Sequence, residues 1–444
     1  MNKTRFTNRQ ILHIAGPILI SLLMEQMIGM TDTAFLGRVG EIELGASALA
    51  SVYYLAIFML GFGFSAGVQI MISRRNGEGN YTAIGAIFNQ GLFFLVGLAT
   101  VIFFLTRFGS PIVLRLLIDS DRIYEATLQY MNWRIFGFFF SFSALMFRAF
   151  YVGIADTRTL TANSLVMVGT NVLLNYILIF GKLGFPALGI AGAAIASVIA
   201  EMVSLLFFIL YTYIRTNRKK YSLFKGFHFE WSTLSHIFNT SVWTMLQAFI
   251  SISTWFLFFI AVEHLGERPL AITNILRNIS SFFFIIISAF ATTASTLTST
   301  LIGSGEQNKV MGVFRQVSIV CYLFILPLML LVCLFPTQVM RIYTDNLSLI
   351  QSAVPSYYVM IFVYLISVPA NILFNTASGT GNTRSALGLE LGALTLYVLS
   401  VVYIVIYLKA DIAICWTTEY VYLASMLVFA YLYMKKGKWQ HKKI

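Results

Sequence analysis

Long apolar segments alternate with short polar segments along nearly the whole chain. Many apolar segments have about 18 residues or more, and at about 1.5 Å per helical residue this length crosses the ~30 Å hydrocarbon core of a bilayer. The segments are too long for barrel strands and lack the alternation of period two that barrel strands show. The pattern therefore predicts a polytopic helical membrane protein.

Twelve membrane spans are expected, six in each half of the chain. In the first half they cover about 11–35, 44–72, 84–106, 123–152, 161–181 and 187–213. In the second half they cover about 237–264, 270–301, 310–334, 350–378, 386–408 and 411–434. Because six is even, both halves enter the membrane from the same side. We therefore predict an all-α integral membrane fold, with twelve transmembrane helices in two parallel-repeat lobes of six helices.

A repeat at an offset of about 226 positions supports this division. Gly40-Glu41 recurs as Gly266-Glu267, and Thr157-Arg158 recurs as Thr383-Arg384, without any gap in the alignment. Internal repeats of this kind are typical of transporters, whose two halves move about a site at their interface. The predicted domains are an N-lobe (1–213), a cytoplasmic linker (214–235), a C-lobe (236–434) and a basic cytoplasmic tail (435–444).

Composition and charge agree with this topology. The chain is 58% hydrophobic and 11% charged, whereas about a quarter of the residues of a soluble protein are charged. Lys and Arg concentrate at the N-terminus, in the linker and at the C-terminus, which predicts cytoplasmic termini in a multi-pass protein of the plasma (cell inner) membrane. The net charge of +12 lies in separate short loops, so we expect no nucleic-acid partner. The three cysteines show neither disulfide nor metal spacing.

The strongest candidate for chemistry is Asp32, near the end of span 1, because a charge inside a span is unfavourable and is a functional candidate by default. Asn171 and Asn175 lie four residues apart on one face of span 5, and Ala193 and Ser197 lie four apart in span 6. Carboxylate, amide and hydroxyl oxygens suit a hard cation such as Na⁺. The same set also suits a proton, because burial disfavours an ionised carboxylate.

The repeat offers a comparison for this candidate site. At the same offset, Asp32 corresponds to Phe258, Asn171 to Tyr397 and Asn175 to Val401. The glycines recur in both halves but these polar residues do not, as expected for a coupling site in one half. Two alternatives stay open at this point: the two halves simply diverged, or Asp32 is an interfacial carboxylate that ends its helix.

Further polar residues in the spans are candidates for a substrate cavity. Glu390 and Glu419 are carboxylates in apolar surroundings that could bind a cationic substrate, pair with each other or lie near an interface. Gln69 and Gln247 are cavity candidates or partners in hydrogen bonds between helices. Arg277 is a cavity candidate, or it is satisfied by Asn278 or by a neighbouring helix. The sequence contains no nucleophile and base pair and no histidine and carboxylate metal cluster in the spans, so an enzyme is not expected.

Several segments together resemble the multidrug and toxic compound extrusion (MATE) family. The segments that carry the resemblance are Ala15-Gly16-Pro17, Thr31-Asp32-Thr33-Ala34-Phe35-Leu36-Gly37, Gly153-Ile154-Ala155-Asp156-Thr157-Arg158, Gly379-Thr380-Gly381-Asn382-Thr383-Arg384, Asn171-Val172-Leu173-Leu174-Asn175 and Gly189-Ile190-Ala191-Gly192-Ala193-Ala194. They span nearly the whole chain.

The resemblance implies a cation-coupled antiporter, driven by H⁺ or Na⁺, that exports bulky cationic organic compounds by alternating access. It implies a coupling role for the matching residues, which are Asp32, Asn171, Asn175, Ala193 and Ser197. If the ion is Na⁺, its ligands would include Asp32, Asn171 and Asn175. Pro17 would let helix 1 bend, because proline removes a backbone hydrogen bond.

The chain departs from a branch of the family that uses acidic residues in the C-lobe. The matching position in span 10 is Asn371, a further cavity candidate, and the carboxylate of span 7 corresponds to Phe249 or a neighbour. The expectation therefore centres on Asp32. No cofactor is expected besides the coupling ion, the partners are small organic molecules and the lipid bilayer, and a monomer is expected. The alternative function is a lipid-linked oligosaccharide flippase of related architecture.

Overall fold

The computed structural model describes residues 6–118, 120–225, 229–436 and 439–440, and these residues form helices and no strand. Parts of the predicted basic segments, residues 1–5, 437–438 and 441–444, lie outside the described residues. The helices of the first half are α1 (Asn8–Leu36), α2 (Glu41–Glu78), α3 (Tyr81–Leu117), α4 (Asp121–Arg134), α5 (Gly137–Gly153), α6 (Arg158–Phe180), α7 (Gly189–Arg215) and α8 (Arg218–Tyr221).

The second half repeats this order with small changes. Its helices are α9 (Trp231–Glu263), α10 (Glu267–Gly303), α11 (Val310–Leu334), α12 (Pro336–Arg341), α13 (Leu347–Phe362), α14 (Tyr364–Gly379), α15 (Thr383–Val401), α16 (Ile412–Cys415) and α17 (Thr418–Lys435). A short 3₁₀ turn (Gln307–Lys309) precedes α11, and a π-helical turn (Val402–Tyr407) extends α15.

The membrane-spanning helices agree with the predicted number. Within the described residues, 11 helical segments are long and apolar enough to cross a membrane. A further pair, α4 and α5, is bent by 51° and makes a twelfth span when it is counted as one. The predicted fold class, an all-helical membrane protein with about twelve spans, is therefore confirmed.

Local sequence signals set several helix ends. α1 begins with a capping box, in which the Gln10 backbone N–H donates to Thr7 Oγ1 over 3.3 Å and the Thr7 N–H donates to Gln10 Oε1 over 2.8 Å. Beyond α2 and α10 the chain turns at Gly79 and Gly305, which have left-handed φ values of 72° and 76°. Only glycine adopts such angles without strain, so these two repeated glycines terminate equivalent helices.

The chain forms two compact units. One is Ile20–Met245, and the other combines Met1–Leu19 with Leu246–Ile444. In the first unit α6 packs against α7 and α2 against α5, and in the second α15 packs against α17 and α10 against α14. The predicted lobes, 1–213 and 236–434, follow the repeat in the sequence rather than this grouping of contacts, and they stay a prediction.

The predicted linker is packed onto the first unit. Tyr221 and Leu223 are buried, and Asn89 of α3 donates from Nδ2 to the Lys225 carbonyl oxygen over 3.2 Å. The Gln90 side chain of α3 accepts the Glu230 backbone N–H over 3.1 Å. These contacts hold the linker against α3 at Lys225 and Glu230.

Candidate cation-coupling site

Asp32 lies one turn before the end of α1 and faces α6 and α7. Asn175 of α6 donates from Nδ2 to Asp32 Oδ1. Ser197 of α7 donates from Oγ to Asp32 Oδ2 over 3.3 Å. Because α1 continues to Leu36, Asp32 does not cap the helix, and its carboxylate instead joins three helices of one unit.

The two asparagines form a buried chain of hydrogen bonds beside this carboxylate. They are four residues apart on α6, and Asn175 Nδ2 also donates to Asn171 Oδ1 over 3.0 Å. Asn171 Nδ2 in turn donates to Ser197 Oγ over 3.2 Å, and both asparagine side chains are fully buried. The structure therefore brings Asp32, Asn171, Asn175 and Ser197 into one connected network.

Within the described residues, one oxygen of this network is left without a hydrogen bond. Asn175 Oδ1 is buried and accepts from no donor in the described part of the chain. A buried amide oxygen without a donor is unfavourable unless something else satisfies it. Beside a carboxylate, this oxygen is suited to accept from a protonated Asp32 or to coordinate a hard cation.

Close packing of α6 on α7 brings the network together. A Cβ atom added at Gly192 would lie 2.6 Å from the Leu178 carbonyl oxygen, so a larger residue there would push the helices apart. Ala193, which follows on the same helix one turn before Ser197, is fully buried. The small residues of α7 thus permit the approach that places Ser197 beside Asp32.

A buried ion pair near this network was missed by the sequence analysis. Arg134 of α4 and Glu201 of α7 form two parallel hydrogen bonds, of 2.6 and 2.8 Å. A second pair joins Arg148 to Glu25 over 3.0 Å. The sequence did contain a signal for these pairs, because all four residues are charges inside predicted apolar spans, as Asp32 is. Their opposite signs further suggest that they pair with one another.

The second unit has a different polar cluster. Glu390 of α15 is buried and accepts hydrogen bonds from Tyr422 (2.6 Å) and Ser251 (2.8 Å). Glu419 of α17 accepts from Tyr397 over 3.0 Å, and the rings of Tyr397 and Tyr422 are 5.6 Å apart. The two carboxylates are thus linked through tyrosines rather than paired directly.

The repeat relates this cluster to the first half. At the offset of about 226, Tyr397 corresponds to Asn171 and Glu419 to Ala193. The sequence comparison covered only Asp32, Asn171 and Asn175. It therefore did not show that a carboxylate, Glu419, stands in the second half at the position of the site residue Ala193. Packing of α15 on α17 places Glu419 beside Tyr397, as packing of α6 on α7 places Ser197 beside Asn171.

The remaining candidates lie on α1, α2, α9, α10 and α14. Pro17 lies within α1, which continues through it as one helix. Arg277 lies over the Phe259 ring at 5.4 Å, and Asn371 donates to the Ser367 carbonyl and hydroxyl oxygens at 3.0 Å each. Gln69 and Gln247 are half-buried in α2 and α9. Their assignment to a substrate cavity stays a prediction.

A cavity of about 490 Å³ opens between the end of α2 and the starts of α3 and α9. Its walls include Arg75, His236 and Asn239, and the predicted cavity residues are not among them. This cavity belongs to the first unit, at the helix ends for which the sequence predicts a cytoplasmic location.

Comparison with known proteins identifies the family. The MatE family model matches residues 17–177 and 243–428. The probable multidrug resistance protein NorM of Thermotoga maritima is 24% identical over 441 residues, covering 98% of this chain and 94% of that protein. NorM of Pasteurella multocida is 26% identical, covering 78% of this chain and 75% of that protein.

Solved structures share the fold. An outward-facing multidrug resistance MATE family transporter of the MOP superfamily superposes with a TM-score of 0.88 at 17% identity, covering 98% of this chain and 97% of that one. A mutant of the Vibrio cholerae MATE transporter VcmN superposes with a TM-score of 0.85 at 16% identity, covering 98% of each chain.

These findings also settle the class of protein. MatE family members are transporters, so the expectation that the chain is not an enzyme is confirmed. The alternative of an oligosaccharide flippase is not favoured, because the family model and the relatives belong to multidrug transporters. The family model covers well over half of the chain, and the protein is therefore a multi-pass membrane transporter of the MatE family.

Proposed function

We propose that the protein is a cation-coupled antiporter that exports bulky, cationic organic compounds by alternating access. The coupling cation, H⁺ or Na⁺, binds at Asp32 with Asn171, Asn175 and Ser197, and its binding favours a different conformation from that favoured by the exported compound. Such coupling is limited by the difference between the affinities of each ligand for the two conformations.

The observation that carries the proposal is an incomplete polar network around a carboxylate. In the described residues, Asp32 forms no salt bridge and accepts only from Asn175 and Ser197. In the same described part of the chain, Asn175 Oδ1 beside it accepts from no donor. A carboxylate in a membrane helix without a cationic partner favours taking up a cation, and the adjacent oxygen provides a second ligand or an acceptor for the added proton.

The class of exported compound rests on the relatives. The NorM proteins of Thermotoga maritima and Pasteurella multocida are named as probable multidrug resistance proteins. By extension, we propose organic compounds as substrates of this chain. We also propose that the protein is a monomer in the plasma membrane with cytoplasmic termini, as the distribution of Lys and Arg predicts. The inward gradient of the coupling cation would then drive export.

The first experiment measures transport of a cationic dye in proteoliposomes under either a pH gradient or a sodium gradient. We expect wild-type protein to transport the dye on one gradient and Asp32→Asn to lose at least about 90% of that transport, because an amide neither ionises nor carries the charge that attracts a cation. Asp121→Asn is the matched control, since Asp121 is exposed and bonded to Arg115 at the end of α3. Normal transport by Asp32→Asn would refute the proposal.

A further inference from the structure

The buried pair of Arg134 and Glu201 has a geometry that leaves the guanidinium little freedom. Arg134 Nη2 donates to Glu201 Oε1 over 2.6 Å and Nη1 donates to Oε2 over 2.8 Å. Only 12% and 15% of the two side chains are exposed. A bidentate arrangement of this kind uses both carboxylate oxygens and fixes the plane of the guanidinium.

The surroundings hold the pair in place from two further sides. The Tyr54 ring of α2 lies over the guanidinium at 3.8 Å, and its hydroxyl donates to Glu201 Oε1 over 3.4 Å. A Cβ atom at Gly137 would lie 2.3 Å from both Arg134 Nη1 and Glu201 Oε2. Any side chain at position 137 would therefore collide with the pair.

The pair is next to the candidate coupling site. Ser197, which donates to Asp32, and Glu201 are four residues apart on the same face of α7. Arg134 interacts electrostatically with both Asp32 and Tyr130, and Asp32 also interacts electrostatically with Tyr130. Among the described residues, the ionisable side chains facing this region are thus Asp32 from α1, Tyr54 from α2, Tyr130 and Arg134 from α4, and Glu201 from α7.

The pair is also confined to one half of the repeat. At the offset of about 226, Arg134 corresponds to Met360 and Glu201 to Leu427. The ion pair and Asp32 therefore occur together in the first half and are both replaced by apolar residues in the second.

We propose that Glu201 is a positioning residue that holds the Arg134 guanidinium away from Asp32, so that the Asp32 carboxylate stays available to the coupling cation. Without Glu201, Arg134 would be a buried charge without a partner, and a buried charge without a partner seeks the nearest opposite charge. Asp32 is a carboxylate with which Arg134 already interacts electrostatically. A guanidinium paired with Asp32 would take the place of the coupling cation. This inference rests on the proposed coupling role of Asp32.

The test compares Glu201→Gln with the double variant Arg134→Met, Glu201→Gln in the dye-transport assay. The readout is the concentration of the coupling cation, H⁺ or Na⁺, that gives half-maximal transport. We expect Glu201→Gln to raise this concentration by about tenfold or more, because a nearby positive charge stabilises the ionised carboxylate by this order. The double variant, which lacks the competing guanidinium, should return to within about threefold of wild type.

Two controls separate this role from a merely structural one. Glu201→Asp keeps the negative charge, so this variant should retain most of the wild-type cation dependence. Glu25→Gln breaks another ion pair of the first unit, with Arg148, and should leave the cation dependence unchanged. A structural role predicts instead that the double variant is at least as impaired as Glu201→Gln. That result, or an unchanged cation dependence in Glu201→Gln, would overturn the inference.

If Glu201→Gln does not fold, Gly137→Ala replaces it, since the added methyl group displaces the pair while both charges remain. It should raise the half-maximal cation concentration, and an unchanged value would count against the inference. The Asp32→Asn variant is measured in parallel. Normal transport by Asp32→Asn would refute the proposed function itself, whereas an inactive Asp32→Asn with an unaffected Glu201→Gln would refute only the role of Glu201.

Discussion

Four carboxylates of the spans differ in the groups that satisfy them. Glu201 has a guanidinium, and Glu390 and Glu419 accept from tyrosine hydroxyls. Among the described residues, Asp32 accepts only from an amide and a serine hydroxyl. Hydroxyl and amide donors stabilise an ionised carboxylate less than a full positive charge does. At the scale of residues, Asp32, Glu390 and Glu419 thus lack, in the described part of the chain, the cation that Glu201 has. Within the described residues, Asp32 differs from the two glutamates in having beside it a buried amide oxygen, Asn175 Oδ1, that accepts from no donor.

Replacing Asn175 by leucine is predicted to discriminate between the two coupling ions. If the ion is H⁺, the variant should need about fivefold less H⁺ for half-maximal transport. The ionised Asp32 loses a charge-assisted donor worth about 1.5–3 kcal/mol, whereas the protonated form loses a neutral acceptor worth only about 0.5–1.5 kcal/mol. If the ion is Na⁺, it should need more Na⁺, because an oxygen ligand is lost. The measurement is dye transport against cation concentration.

The matched control for this variant is Asn163→Leu. Asn163 is also a buried asparagine of α6, and it exchanges hydrogen bonds of 2.9 and 3.1 Å with Ser204 of α7. It has no contact with Asp32 among its hydrogen bonds. Equal changes in cation dependence for both variants would show that Asn175 acts through helix packing alone.

At the scale of elements, the approach of α6 to α7 determines whether the site exists. Asn171 and Asn175 come from α6 and Ser197 from α7, and Gly192 lets the two backbones meet. The repeated glycines play a similar part elsewhere. A Cβ at Gly153 would lie 2.6 Å from Ile72 Cγ2, and a Cβ at Gly379 would lie 2.6 Å from the Ser295 carbonyl oxygen. The repeat in the sequence thus records equivalent close contacts between helices.

Two glycine-to-alanine variants test this packing. Gly192→Ala should lower the free energy of unfolding by about 1–3 kcal/mol, because the added methyl group meets a backbone oxygen that can move only with its helix. Gly169→Ala, on α6 with no atom within 4 Å of the added Cβ, should be neutral or stabilising by up to about 1 kcal/mol. Thermal unfolding in detergent measures both, and equal effects would contradict the close contact.

At the scale of the whole molecule, the two halves keep one pattern of helices but differ in their polar clusters. The first half has Asp32 with its asparagines and the Arg134–Glu201 pair. The second half has two carboxylates that accept from tyrosines. Equivalent backbone positions therefore serve different chemistry, which is consistent with coupling in one half only.

Glu390→Gln and Glu419→Gln test this asymmetry. A glutamine oxygen still accepts from Tyr422 or Tyr397, so both variants should fold and should retain the cation dependence of wild-type transport within about threefold. The assay is the same dye transport on the effective gradient. A loss of cation dependence in either variant, with Asp32→Asn unaffected, would move the coupling site to the second half.

The sequence by itself determined the class of protein, the number of spans and the repeat, because apolar length and glycine spacing act along a single helix or loop. It also placed Asn171 and Asn175 on one face, since helical periodicity relates residues four apart. Only the tertiary structure decided which groups from different helices meet. Asp32 and Ser197 are 165 positions apart, and Arg134 and Glu201 are 67 apart. Contacts at such separations follow from helix packing, which no local pattern specifies.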